Sequence, residues 1–183
     1  MIVKPLRILI PFAFLCAIVA NLHASLVLKK GDRISLVGAG MGSRMVHYGH
    51  FETELQLRFP RLNLTIRNLC DEGNPPGFRP RPGREQQAQY AFPGAKELIN
   101  KKLQASSGPK GHFETPDQWL TRLETDVVIA FFGFNSSFDG KRELGRFKKE
   151  LDAFLKHTLA QKYNGQTAPR LALVSPTALQ PMA

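Results

Sequence analysis

The sequence predicts an α/β protein, a three-layer α/β/α sandwich built on a parallel sheet, and three observations lead there. Ile34-Ser35-Leu36-Val37 is a short apolar run that ends in a glycine cluster, as a buried parallel strand does on entering a βα loop. Asp126 to Phe132 (Asp-Val-Val-Ile-Ala-Phe-Phe) has the continuous apolar character of a strand covered on both faces. Segments of helical periodicity separate such runs, and repeated strand–helix–strand units imply a parallel sheet with helices on both faces.

With 183 residues, 43% of them hydrophobic and 22% charged, the chain has material for one domain with a sizeable core, and disorder, collagen and coiled coil are excluded. Lys and Arg number 25 against 15 Asp and Glu, for a net charge of +10. Such an excess suits nucleic acid, an anionic surface or solubility alone. Nucleic acid is not the expected partner, because the aromatic residues fall mostly at core spacing and the basic ones are spread over helix faces instead of forming one stripe.

Residues 1–24 read as a signal peptide. Lys4 and Arg7 form its charged start, Ile8 to Ala20 its apolar middle, broken only by Pro11, and Asn21-Leu22-His23-Ala24 its exit, with cleavage expected after Ala24. The apolar run is 13 residues long, short of the ~20 that a membrane-spanning helix needs. Leu15 ahead of Cys16 does not suit a lipoprotein cleavage site. The expected location is secreted or periplasmic, with membrane contact only through this segment if it stays uncleaved. Cleavage leaves residues 25–183 as the domain and a charge of +8, two below the whole sequence because Lys4 and Arg7 are gone. Cys70 is then the single cysteine, so no internal disulfide forms, the fold rests on its core, and the thiol is expected to be buried or unreactive.

The elements follow in order. After the strand at 34–37 a helix is expected, with Phe51, Leu55 and Phe59 at i+4 spacing and Pro60 as its stop. Leu62 to Asn68 alternates and predicts a second strand. From Asp71 to about Gly94 the chain is rich in proline and arginine, and residues 74–115 as a whole read as a long loop or insertion. Within it a short helix is expected over 95–104, and another over 116–123 follows Thr115-Pro116. After the strand at 126–132, residues 141–161 predict the longest helix, with Leu144, Phe147, Leu151, Phe154, Leu155 and Leu159 along one face and lysines on the other. Leu171 to Val174 supplies a fourth strand. In such sheets a ligand binds outside the carboxyl ends of the strands, and those ends carry Gly38 to Ser43, Asn68 to Gly73, and Gly133-Phe134-Asn135.

Several residues invite a chemical reading. Ser43, at the start of the first expected helix, is a candidate nucleophile, although serine at that place is commonly a capping or first-turn residue. His47 and His50 are three residues apart beside Gly49, without the i+4 spacing and third ligand of a metal site, so no metal is expected. Arg79, Arg81 and Arg84, interleaved with prolines, suit an anionic sugar or phosphate, or simply a solvated loop. Val37-Gly38-Ala39-Gly40 has the start of a dinucleotide fingerprint. Its third glycine position holds Ser43, and Arg67-Asn68 replaces the acidic residue expected after the second strand, so no cofactor is expected. No Cys-x-x-Cys-His occurs, so no haem is attached to these residues.

The three strand ends also carry a family resemblance. Gly31-Asp32-Arg33-Ile34 leading into Val37-Gly38, Arg67-Asn68-Leu69 with Gly73 beyond it, and Phe132-Gly133-Phe134-Asn135 resemble the SGNH or GDSL-like hydrolase (esterase) family over about residues 31–178. The resemblance implies a flavodoxin-like SGNH fold, C-terminally incomplete here, and an ester hydrolase acting on acylated carbohydrates or small esters. It implies oxyanion-hole roles for Gly73 and Asn135, whose N–H groups suit a tetrahedral acyl intermediate. It also shows what this chain lacks. The stretch matching Gly-Asp-Ser-Leu is Gly38-Ala39-Gly40-Met41, so Gly40 stands where the nucleophilic serine is expected, and the family's Asp-x-x-His does not occur. Two functions are therefore expected side by side: an exported ester hydrolase with its nucleophile lost or displaced to Ser43, and an inactive carbohydrate-binding or scaffolding domain. The nearest subgroup is the degenerate SGNH domain that precedes c-type-haem-binding dehydrogenase-like modules in secreted bacterial proteins, which implies a downstream haem-binding domain as a partner.

Overall fold

The computed structural model describes residues 25–79, 90–101 and 114–177. The expected signal peptide, Arg81, Arg84 and the end of the helix expected over 95–104 lie outside the described residues. Strands β1 (Arg33–Gly38), β2 (Thr65–Asn68), β3 (Val127–Phe131) and β4 (Arg170–Val174) form one sheet in the order β2-β1-β3-β4, with every pairing parallel. The helices are α1 (Gly40–Tyr48), α2 (His50–Arg58), α3 (Ala95–Leu98), α4 (Pro116–Arg122), α5 (Phe134–Ser137) and α6 (Leu144–Ala160), the last preceded by a 3-10 turn over Lys141–Glu143. The α/β class and the parallel sheet are as the sequence predicts.

The period-two alternation of the strands divides the core. Ile34, Leu36, Ile66, Val127, Ile129 and Phe131 point to one face, where Met41 and Met45 of α1 and Phe51 and Leu55 of α2 cover them. Ala130 and Phe132 point to the other, against Phe92, Ala95 and the Phe147, Leu151 and Phe154 stripe of α6. Helices thus pack on both faces. Register places Ile34 beside Val127 and Gly38 beside Phe131, and Val127 beside Arg170. At the amino end of the sheet Asp32, almost fully buried, takes Arg170 in a bidentate pair (2.6 and 2.9 Å) and also accepts from the Lys29 N–H at 2.6 Å.

Four boundaries differ from expectation, each for a local reason. The single helix expected after β1 is two, because Gly49 in the left-handed region (φ 61°) closes α1 and opens α2. The second strand starts at Thr65 instead of Leu62, because Asn63 is left-handed (φ 49°) and turns the chain there. The helix expected from 95 ends at Leu98, where Ile99 becomes extended (ψ 160°). Phe134–Ser137, read only as a strand end, forms one helical turn behind Gly133 (φ 110°). By contrast α4 begins as expected. Thr115 accepts from the Gln118 N–H, Gln118 reaches back to the Thr115 N–H, and Pro116 takes the first position, where no N–H is needed. Among the described residues no helix is long and apolar enough to cross a membrane.

Candidate functional site

The strand order turns between β1 and β3, which run to helices on opposite faces, and their carboxyl ends therefore part to leave a crevice. The first wall is the β1–α1 junction. At Gly38 (φ 119°) a Cβ would lie 2.3 Å from the Phe131 carbonyl oxygen, so only glycine lets the two strands close here. Ala39 then donates its N–H to that same carbonyl at 2.9 Å, and α1 starts at Gly40. Ala39 offers no side-chain cap and the first turn holds no acidic residue, which leaves this helix start electropositive.

The second wall is the loop after β2. Asn68 donates to the Gly42 carbonyl at 2.7 Å and accepts from the Cys70 N–H at 2.9 Å, and the Asp71 N–H donates to the Gly38 carbonyl at 2.9 Å. These bonds fix the path into Gly73, which is left-handed at φ 84°. The third wall is α5, where Gly133 sets the turn and Asn135 is exposed.

Gly40, Gly73 and Asn135 line one cleft of about 520 Å³. The three positions singled out at separate strand ends are therefore brought together. Met41, Arg44, Glu72, Phe134, Pro176 and Thr177 complete its lining, so one cation and one carboxylate face it beside a mostly apolar floor. At Gly40 a Cβ would meet nothing within 4 Å, so the position is open as well as empty of a nucleophile. Among the described residues, no serine, cysteine or histidine lines the cleft.

Ser43 is not on that lining. It sits half-buried on α1 and donates its hydroxyl to the Gly40 carbonyl at 3.1 Å, the local bond of a first-turn serine. His50 stacks on Tyr48 with ring centres 6.3 Å apart, and among the described residues no cluster of three metal-ligating side chains occurs. Cys70 packs so closely on α1 that a Cβ at Gly42 would lie 2.3 Å from its Sγ, and burial pushes the thiol up to about 12. It is a neutral packing group at physiological pH.

Arg79 has turned inward. It lies over the Trp119 ring at 5.4 Å and donates to the Glu114 carbonyl, while burial pulls its guanidinium down to about 10, against the opposing pull of the Glu114 carboxylate. It is still charged at neutral pH.

Glu150 escaped the sequence reading altogether. It is fully buried on α6, accepts from the Gly77 N–H at 2.8 Å and from Arg146 at 3.1 Å, and so clamps the loop beyond Gly73 to the helix. Arg146 also bonds Asp139 (2.7 Å) and Glu143 (3.0 Å). The signal was present: Glu150 falls three residues after Phe147 and four before Phe154, on the apolar stripe, with Arg146 one turn earlier. Comparison with protein-family models, with curated proteins and with solved structures returned no match.

Proposed function

We propose that this chain is an exported SGNH-type domain that binds an ester or acylated carbohydrate in the strand-end cleft and does not hydrolyse it. The observation that carries the reading is that Gly40, Gly73 and Asn135 line one cleft while the position aligned with the family's serine has no side chain. An uncapped helix start, a backbone N–H at Gly73 and the Asn135 amide suit the carbonyl or carboxylate oxygen of such a ligand. The strand order β2-β1-β3-β4 supports a flavodoxin-like sheet of the SGNH kind. In this reading the sheet continues past β4, whose Leu173 is exposed. Export rests on the N-terminal segment, and a downstream haem-binding domain is the partner that the resemblance implies.

The test uses residues 25–183 with a fluorophosphonate label, a chromogenic acetate ester and an acetylated oligosaccharide followed by amide NMR. Expected are shifts at Gly40, Gly73 and Asn135, no turnover and no label. Labelling confined to Ser43, with turnover, would replace the reading by that of an active hydrolase with a displaced nucleophile. Absence of shifts at all three positions at millimolar ligand would refute binding in this cleft.

A further inference from the structure

A second, smaller cavity of about 50 Å³ lies on the other side of the β1 carboxyl end, between the loop after β2 and α4. Val37, Gly38, Pro76, Leu120, Phe132 and Phe154 make its walls largely apolar. Two polar side chains also line it, Asn74 and Arg79, which are 5% and 8% exposed. The Asn74 side-chain carbonyl is completely buried, and among the described residues no donor reaches it. A buried acceptor left in that state is costly, so native proteins satisfy such groups with protein or with ordered water.

The chemistry of the cavity selects its occupant. A cation is disfavoured by the Arg79 guanidinium. An anion is disfavoured by the Asn74 carbonyl dipole. A neutral group that both donates and accepts fits the pair, because it gives a proton to Asn74 and takes one from Arg79, whose five N–H donors serve several partners at once. Volume narrows the choice further: one water needs roughly 10–15 Å³ of such space, so the cavity of about 50 Å³ holds a few waters at most and excludes drug-sized organic ligands.

We propose that this cavity is an internal water site, in which ordered water bridges the Asn74 side-chain carbonyl to Arg79 and so cross-links the loop carrying Gly73, whose Arg79 in turn stacks on Trp119 of α4. The site is independent of what the neighbouring cleft binds. Its consequence for the fold is that the turn from Asn74 to Arg79 is held twice, by Glu150 at Gly77 and by the water between its ends.

A high-resolution crystal structure of residues 25–183, with and without a bromide soak, tests it directly. Expected is a solvent peak within hydrogen-bond distance of Asn74 that carries no anomalous signal. An anomalous bromide peak there would overturn the assignment in favour of an anion, and a dry cavity would overturn it outright. Asn74→Leu gives an independent readout in thermal unfolding. If water satisfies Asn74, the substitution strands the water and lowers Tm by about 3–6 °C. A rise in Tm would mean that the carbonyl had been an unsatisfied acceptor in a dry site, and would refute the proposal.

Discussion

Replacing Glu150 by alanine is expected to destabilise the protein by about 3–5 kcal/mol, the usual cost of removing one partner of a buried, charge-assisted pair. The structure says where that loss arises. The Glu150 carboxylate is fully buried and takes the Gly77 N–H at 2.8 Å, so alanine leaves a buried donor without an acceptor, at about 1–3 kcal/mol. Arg146 loses one of three carboxylates but keeps Asp139 and Glu143, so its share is smaller. The space vacated between Gly77, Ala95 and Ile99 adds a cavity term. For a domain of this size the sum lowers Tm by about 10 °C, read by circular dichroism. Glu150→Gln keeps an oxygen for Gly77 and should stay within about 1 kcal/mol of the parent.

The pH dependence has a definite sign. Burial raises the Glu150 carboxyl above its ordinary value near 4.5, against the downward pull of the Gly77 N–H and Arg146. The folded state then holds this proton more tightly than the unfolded chain does. Stability from this group is present below the ordinary value and is lost as pH rises through the folded one. The stability of the parent relative to Glu150→Gln should therefore fall as pH is raised above about 4.5. An alanine variant whose Tm lies within about 2 °C of the parent would refute the whole argument.

Other substitutions test the same structure. Gly38→Ala should cost more than about 3 kcal/mol in urea unfolding, since the left-handed φ and the 2.3 Å approach to the Phe131 carbonyl act together, whereas Gly40→Ala should stay within about 1 kcal/mol. Arg170→Ala uncovers the buried Asp32 carboxylate and should cost about 3–5 kcal/mol by the same measurement. The Cys70 thiol, raised from 9.0 to about 12, keeps its proton in the folded state after the unfolded chain has lost it, so its contribution to stability is present below 9.0 and lost as pH rises above it. Between pH 9 and 10 this group should lower stability by up to about 1.4 kcal/mol per unit, and the slope of Cys70→Ala in that window should be shallower than the parent's by that amount.

What the sequence could reveal of the fold depended on how far each signal repeats. β3 is apolar without interruption and α6 repeats its stripe over four turns, so β3 and the end of α6 were legible within one residue, while the first three residues expected in that helix, Lys141–Glu143, form the 3-10 turn instead. Leu62, Leu64 and Ile66 alternate as a strand would, yet only Ile66 lies in β2. Leu62 reaches the core from a turn that the left-handed Asn63 makes, and alternation alone does not distinguish the two. α5 has one turn and therefore no period to read. In residues 40–48 only Met41 and Met45 mark the core side, because the small Gly40, Gly42 and Ser43 occupy the start of α1, so the helix was legible only from Phe51 onward. Of the cleft, Gly40, Gly73 and Asn135 were legible because a parallel sheet gathers its strand ends on one side. Arg44, Glu72 and Thr177 were not, since their place depends on side-chain directions that topology does not specify.

The cleft is held open by bonds that owe nothing to a nucleophile. Asn68 bonds the Gly42 carbonyl, Asp71 bonds the Gly38 carbonyl and Glu150 holds Gly77, and none of these bonds involves a side chain at position 40. Pre-placed donors of this kind accelerate hydrolysis only when charge develops on the carbonyl oxygen after attack. In the function proposed above, where no attack occurs, the same donors would stabilise the bound ester itself. Gly40→Ser separates geometry from chemistry, because the new side chain enters open space beside those donors. Among the described residues no histidine lines the cleft, so this hydroxyl has no base to activate it. The variant should fold with the parent's stability, should bind as the parent does, and should remain unlabelled by a fluorophosphonate. Rapid labelling at Ser introduced there would mean that a base reaches the cleft from outside the described residues, and the domain would then be one substitution away from an esterase.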